Sequence, residues 1–573
     1  MAELDDPVMI VVGGGAIALS TAQELCALKG HRVVVVWTRD PDFARTVEAI
    51  GAVYVGARPD SVEALDRAGV QYAVTILALS PDDQLNLHAA LLARDANPRI
   101  RIVLRQFNRT LAHKIEQNLA NCSVLSLAWH SAATYAAAAM DSSCFRGLQF
   151  PEPDGPLTGF VTRIAEDSGV SGLSIAQAER ALAARIIAVD GLTEFPPEAL
   201  LANGSELVAY GDIAKLQNTA PDQPSRPTRS AAIRRSGSLW RRMWRQLRRH
   251  DPILAPLAAT ALAVYLAVFS AGIWHFQSVF PGGWLDAVYF VVTTMTTTGY
   301  GDLLPDRKNP FDVIAAIVLM VSGITLTGLF IAFGAALLTR MQWVMMQGLR
   351  PVRRRGHIIV CGAGSIGSGV IDLLLAHDKR LVVIELTPDT TVVERAREEH
   401  FDLLTGDASR DTTLDLCNLD AARGLIALTN VDTLNLEIAL GARARNPTLP
   451  IVLRIADARF AESIARHFEF ETTFSAAGLA APAFVGLSQF PGSRGRVSFG
   501  GQEFAIGEFG GGDTLPASAI PIAVSRGSSF EIVHDLNAVQ TSDRLLALIP
   551  REPLKGARDI SGVEGARLLP QRS

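Results

Sequence analysis

The sequence predicts a multidomain membrane protein. Two α/β domains with parallel sheets, each followed by a small α+β lobe, flank an all-α module of two membrane helices and a re-entrant loop. Three observations predict this class. The chain of 573 residues repeats itself at an offset of 349 residues, two long uncharged apolar runs lie between the copies, and the polar stretch TMTTTGYGD, Thr294 to Asp302, lies between those runs.

The repeat is the first element to justify. VVGGGAIALS from Val11 meets VCGAGSIGSG from Val360, ALSPDDQLNLHAALLARDANP from Ala78 meets ALTNVDTLNLEIALGARARNP from Ala427, and the IVLR ending at Arg105 meets the IVLR ending at Arg454. A shared register at three separated landmarks is the mark of an internal duplication. Each copy alternates short β-branched runs with amphipathic stretches, the βαβ rhythm of a parallel sheet covered by helices. Two Rossmann-like domains are therefore expected, at residues 1–150 and 356–490. Gly-rich lobes are expected at 151–217 and 491–552, and a tail at 553–573.

Between the copies the composition changes twice. A linker rich in Pro, Ser, Thr and Arg leads into SLWRRMWRQLRRH, where Trp240, Met243, Trp244 and Leu247 recur at helical spacing with arginines on the other face. Residues 218–250 thus read as a linker and a helix lying on lipid. Pro252 to Ile273 and Val313 to Thr339 carry no charge and are long enough to cross a bilayer, which takes about 20 apolar residues. They define a pore module at 251–345, with spans near 252–275 and 311–339. Arginines flank both runs on the outer sides, nine of them between Ser225 and His250 and five from Arg340 to Arg355. Both termini are therefore expected in the cytoplasm of a cell-membrane protein. The basic stripe abuts an apolar run, which favours lipid over nucleic acid as its partner.

Composition excludes other classes. Five cysteines are scattered without a CxxC pair, which points to reduced thiols and no structural metal site. The acidic start, MAELDD, does not read as a signal peptide.

The loop at about 283–302 is too short to cross a membrane twice as full helices. Irregular backbone at that depth survives only where protein buries it or where water and ions meet it. Glycines at 299 and 301 permit positive φ, so successive carbonyls can turn to one side and replace the water shell of a cation. TTTGYGD resembles the selectivity filter of potassium channels, usually TVGYGD, and helix, half-helix, filter and helix resemble their two-helix pore. The resemblance implies potassium ions held by Thr297, Thr298, Gly299, Tyr300 and Gly301, with Asp302 supporting the filter from behind. It also implies a homotetramer and a gating hinge in the second span, for which Gly323 is the candidate. Close helix packing is the alternative role of that glycine. Thr298 departs from the family, which has Val or Ile there, and this puts the preference for potassium over sodium in question.

In the second copy Gly362, Gly364 and Gly367 follow HIIVC, and Glu385 ends the next strand, the arrangement of a dinucleotide cradle with an acid for ribose hydroxyls. With LLTGDAS, ALTNVD and VLR, this copy resembles the RCK (TrkA-N or KTN) domains that regulate potassium channels and transporters. The resemblance implies a ligand site of Gly362, Gly364, Gly367, Glu385, Asp407, Ala408, Thr429, Asn430 and Arg454. The first copy keeps Gly13 and Gly15 but has Trp37 at the place of Glu385 and VGAR for TGDA. Arg39 and Arg105 could contact an anion there, although loss of the ligand is the favoured expectation.

The ligand expected is NAD(H) or an adenine nucleotide, with Ca2+ as a further candidate. Four chains would supply a ring of eight RCK domains. A dehydrogenase would need an acid–base pair that neither copy offers, so no enzyme activity is expected. A less selective cation channel, or a component of a Trk/Ktr-like transporter, is the alternative.

Overall fold

The computed structural model describes residues 7–219, 254–346 and 351–551, apart from 29, 108, 152–154, 306, 471, 517, 528 and 534–538. The expected lipid-facing helix of Trp240 to Leu247, nearly all of the linker, and the tail lie outside the described residues. The chain forms two compact units, one of Met1–Asp222 with Leu349–Ser573, the other of Gln223–Gly348.

In the first unit the β-branched runs become strands. β1 (Val8–Val12), β2 (Arg32–Trp37), β3 (Val53–Gly56), β4 (Ala73–Ala78), β5 (Arg101–Arg105) and β6 (Cys122–Leu125) form a parallel sheet in the order β3-β2-β1-β4-β5-β6. Val33 to Val36 are buried without alternation, as a strand with helices on both faces requires. The order reverses between β1 and β4, which opens a crevice at the strands' carboxyl ends.

A four-stranded antiparallel sheet follows, β7 (Cys144–Gln149), β8 (Leu157–Ile164), β9 (Ala184–Val189) and β10 (Glu206–Asp212), in the order β7-β8-β10-β9. Its first strand pairs Leu148 with Thr158, so the lobe begins upstream of the expected boundary at residue 150. The reason is that CFRGLQ pairs as a strand with β8.

The second copy repeats the architecture with β11 (His357–Cys361), β12 (Leu381–Glu385), β13 (Asp402–Thr405), β14 (Ala422–Ala427), β15 (Ile451–Ile455) and β16 (Thr472–Ser475), ordered β13-β12-β11-β14-β15-β16. Its lobe is five antiparallel strands, β17 (Ser493–Phe499), β18 (Gln502–Gly510), β19 (Ile520–Arg526), β20 (Ser529–Ile532) and β21 (Arg544–Pro550). Among the described residues this lobe holds no helix. The first lobe carries Ile175–Leu182 and Ile213–Thr219 and is α+β.

The copies exchange helices. Helix Leu127–Met140, which closes the first copy, packs on Ser365–Ala376 of the second, and Ala476–Gln489 packs in turn on Ala16–Ala27. The sequence AATYAAAA permits the close approach: a Cβ on Gly369 would stand 3.0 Å from that of Ala132. One apolar core consequently contains Ala132 and Val161 together with Val360 and Val370. The two lobes also meet, Phe160 and Tyr210 packing in one cluster with Phe504 and Leu546.

A buried cation sits in this seam. Arg146 is 5% exposed and donates to the Leu479 carbonyl at 2.9 Å, to the Arg494 carbonyl at 3.3 Å and to Nε2 of His130 at 2.8 Å. To accept there, His130 must be neutral, and burial together with Arg146 holds its pKa well below the ordinary value. A histidine depressed in the folded state contributes stability that is present above the unfolded pKa, near 6.5, and is lost as pH falls below it. The loss attributable to one such group approaches about 1.4 kcal/mol per pH unit. Unfolding followed between pH 7 and pH 5 should therefore weaken less in His130→Gln, which can still accept from Arg146, than in the unmodified chain.

In the second unit, helices Leu254–Phe276, Trp284–Met295 and Pro310–Met346 pack around Phe276, Phe280, Phe290, Met295, Ala316 and Leu319. Asn309 accepts from the Phe311 amide at 3.2 Å, and Pro310 follows as the first helical residue, a favourable start because its missing N–H costs nothing there. His275 and Asp312 join the first and third helices at 3.0 Å. Among the described residues one helix, Pro310–Ala335, is long and apolar enough to cross a membrane.

The third helix runs unbroken through Gly323. A Cβ on Gly323 would fall 2.6 Å from Cα of Met295 and 2.8 Å from its carbonyl oxygen. The glycine thus admits the backbone that leads into TTTGYG, the packing role set against the hinge. Gly323→Ala should overpack this junction at a cost of about 1–3 kcal/mol, read as a lowered unfolding temperature in detergent; an unchanged temperature would refute the packing role.

Candidate functional site

The stretch after Trp284–Met295 is held by its backbone. The amides of Thr298 and Gly299 both reach the Thr293 carbonyl, at 2.9 and 3.1 Å. Positive φ recurs at every second residue, +63° at Thr297, +49° at Gly299 and +77° at Gly301. Glycine adopts this region freely, whereas at Thr297 it is a strained conformation of the kind that gathers at functional sites. Thr297, Thr298, Gly299 and Tyr300 are all exposed in the single chain.

The anchoring residue missing from the sequence reading is Tyr289. Its hydroxyl donates to Asp302 at 2.9 Å, and its ring stacks on Tyr300 at 6.4 Å. The departure at Thr298 also has a partner, because its hydroxyl meets that of Thr296 at 2.9 Å, a contact valine could not make.

At the crevice of the second sheet the expected residues form two groups. On one side Glu385 takes the Ala363 amide at 2.6 Å. Gly362 has φ +100°, and a Cβ on Gly367 would lie 2.0 Å from the Gly362 carbonyl, the close helix–strand approach that the third glycine of such a turn serves. Gly364 caps the helix that follows. Asp407 follows β13 and accepts from the Ser409 amide and hydroxyl at 3.0 and 2.8 Å, which hold its carboxyl below the usual range. Ala408 does not join them: it is 7% exposed and turned into the core of the sheet.

On the other side Arg454 donates to the carbonyls of Leu428 and Thr429 at 3.3 and 3.2 Å and to Asn430 at 2.8 Å. Asn435, fully buried, organises this group. It accepts from the Thr429 amide at 2.9 Å and donates to the carbonyls of Thr429 and Arg454 at 3.0 and 2.9 Å. Asn86 does the same for Ser80 and Arg105 in the first copy. The signal was available in the sequence as the LNL shared by both copies.

The two sheets share a register, Val12 opposite Val36 and Cys361 opposite Ile384, so Trp37 stands where Glu385 stands. The amides of Ala57 and Gly406 then bond to the carbonyls of Trp37 and Glu385, each at 2.9 Å, which places Arg58 opposite Asp407. In the first copy both acids are thus replaced, one by an indole and one by a cation. The indole also covers the Gly-rich turn: a Cβ on Gly14 would lie 2.4 Å from its Nε1. Gly13 and Gly15 keep positive φ, +147° and +89°. Arg39 and Arg105 are not brought together, since β1 and β4 separate the strands that carry them. Arg39 is exposed, whereas Arg105 is buried over Phe107 and its pKa is pulled down to about 10 by burial.

Comparison with known proteins gives the same partition. The TrkA-N domain family matches residues 9–125 and again 358–475, and the ion channel family matches residues 261–340. The voltage-gated potassium channel Kch of Escherichia coli is 26% identical over 179 residues, 30% of this chain and 42% of that protein. The probable potassium channel protein 2 of Methanocaldococcus jannaschii is 26% identical over 210 residues, 35% of this chain and 58% of that protein. The chain therefore spans about half the length of these two relatives. The solved structure of the GsuK channel aligns with 96% of this chain and 77% of its own, with a TM-score of 0.49 and 15% identity. Two TrkA-N domains thus flank one ion-channel domain in this chain.

Proposed function

We propose that this chain is the subunit of a potassium channel in the cell membrane, conducting passively through a tetrameric pore and regulated by nucleotide on its cytoplasmic side. The observation that carries the reading is the TTTGYG backbone, with positive φ at Thr297, Gly299 and Gly301 and Asp302 tied to Tyr289. Oxygens of Thr297, Thr298, Gly299, Tyr300 and Gly301 would take the place of a cation's water shell. One chain supplies one such strand, so a ring needs several chains, and four is the number proposed.

Two further observations support assembly. Ile314, Ile317, Val321, Ile324 and Ile331 on the long helix are each more than half exposed in the single chain, an apolar surface suited to lipid and to neighbouring subunits, with two spans and both termini cytoplasmic. On the soluble unit, Leu91 and Leu440 stand exposed at equivalent places in the repeat, as do Leu111 and Phe460. These matching patches suit a closed ring of eight domains.

The second copy is the proposed sensor, with Gly362, Gly364, Gly367, Glu385, Asp407, Thr429, Asn430 and Arg454 holding NAD(H) or an adenine nucleotide. Phosphates would meet the free amides at the start of Ser365–Ala376. The first copy, covered by Trp37, acts as a structural partner. A ligand moves the gate only through its preference for one state, and a fifty-fold preference per site corresponds to about 2.3 kcal/mol. Recording single channels while NAD, ADP, ATP and Ca2+ are exchanged on the cytoplasmic side tests this. A nucleotide response with no calcium response is expected. Indifference to every nucleotide would refute the sensor assignment, and a response to calcium alone would transfer the role to a divalent ion.

A further inference from the structure

The chain passes from helix Pro310–Met346 into the second sheet through residues 347–356, and from Val352 onward this passage is strapped to the sheet. The Val352 amide bonds to the Leu416 carbonyl at 2.8 Å, and the Gly356 amide to that of Ala421 at 2.7 Å. Asn418 donates to the Arg354 carbonyl at 2.8 Å, and the Val352 side chain enters the core of the sheet. Arg354 then reaches sideways. Its Nε lies 2.7 Å from the Asp402 carboxylate, and its Nη2 donates to the His400 carbonyl at 2.7 Å.

Asp402 begins the short strand β13, two residues after His400, and the strand ends at Thr405. Thr405 pairs with Glu385, and the next amide, Gly406, bonds to the Glu385 carbonyl. Asp407 follows directly. A four-residue strand therefore has the strap's guanidinium at its start and the proposed ligand acids at its end.

The first copy supplies a built-in control. Val53 occupies the place of Asp402, since Val34 pairs with Val53 as Val382 pairs with Asp402. Gly51 occupies the place of His400, and both residues have positive φ, +86° and +59°. At the repeat's offset from Arg354 the sequence has Asp5. The first copy's sequence thus carries neither the arginine nor the aspartate of this clamp at the matching positions.

We propose that Arg354 is the coupling residue of this channel, transmitting the state of the Glu385–Asp407 ligand site along β13 to the strap that continues the pore helix. The inference rests on the nucleotide-sensor reading given above. The pair is half-exposed, with side-chain exposures of 35% and 40%, so its stabilising contribution is small and its role is positional: two donors on one planar group fix the strap to the strand's first residues.

The test uses the full chain in potassium-loaded vesicles, comparing unmodified protein with Arg354→Ala, Asp402→Ala and Arg354→Lys. NAD binding is measured on the same samples, and hydrogen exchange is followed at the Val352 and Gly356 amides. In both alanine variants NAD should bind within about twofold of normal while its effect on flux, about fivefold or more for a typical coupling, falls toward none. Lysine should keep part of the effect, because it retains the charge but cannot make both contacts at once. Exchange at Val352 and Gly356 should slow on NAD addition in the unmodified chain and stay unchanged in the alanine variants. A normal flux response in both alanine variants, or binding lost together with the response, would overturn the proposal. If NAD has no effect on flux in the unmodified chain, the sensor reading fails instead; exchange that is equally insensitive to NAD in all variants would then remove the strap's role as well.

Discussion

Gly299→Ala should abolish the proposed potassium flux from vesicles containing the purified protein. Gly299 holds φ +49° with open space where a Cβ would go, so the objection to alanine is conformational and not steric. An L-residue forced into the left-handed region costs roughly 1–2 kcal/mol. Taken over four subunits around one axis, that is at least about 4 kcal/mol, close to a thousandfold fall in the population of the conducting arrangement. Rubidium or potassium efflux measures it directly, and flux at the unmodified level would sink the pore assignment. Thr298→Val is the companion experiment. It restores the side chain usual in the family and removes the hydroxyl contact with Thr296, and selectivity for potassium over sodium should rise or stay constant.

Glu385→Ala should weaken nucleotide binding about tenfold to a hundredfold. Hydrogen bonds to a charged group are worth about 1.5–3 kcal/mol, which converts to that range. The carboxylate accepts from the Ala363 amide at 2.6 Å and from the Leu386 amide at 2.9 Å, so the group is fixed in the cradle. Calorimetry should count one site per chain, weakened by that factor in Glu385→Ala and unaffected by Arg39→Ala. Two equal sites would overturn the division of labour between the copies, and one site of undiminished affinity in Glu385→Ala would move the sensor to the copy covered by Trp37.

Much of this was legible in the residues. β-Branched runs such as RVVVVW and RLVVIE are strands because a sheet covered on both faces buries every residue of its strands, and the offset of 349 residues announced two such sheets. TTTGYG and GAGSIG were legible for a shared reason: each is a backbone device, and glycines at fixed spacing are how a backbone device is written in a sequence. By simple counting Trp37 faces Leu386, but the matched strand ends of RVVVVW and RLVVIE set it opposite Glu385, and the strand pairing agrees.

Other features depend on residues brought together from distant parts of the chain. The exchange of Leu127–Met140 and Ala476–Gln489 between the copies left no local mark, because an alanine-rich helix satisfies its own backbone wherever it docks. Arg146 looks like a surface residue until His130, Leu479 and Arg494 close around it. The C-terminal lobe's lack of a helix among the described residues, the start of the first lobe at Cys144, and the burial of Ala408 are likewise decided by which strand or core is available to pair with.

By itself, then, the sequence determined the strands, the two Gly-rich turns and the TTTGYG stretch, since periodicity and glycine spacing are local. The tertiary structure alone decided that Trp37 lies over Gly14, that Tyr289 holds Asp302 and that Arg354 holds Asp402. Each of those contacts joins residues whose neighbours in the chain say nothing of one another, and only the packing of helices and the pairing of strands sets the distance between them.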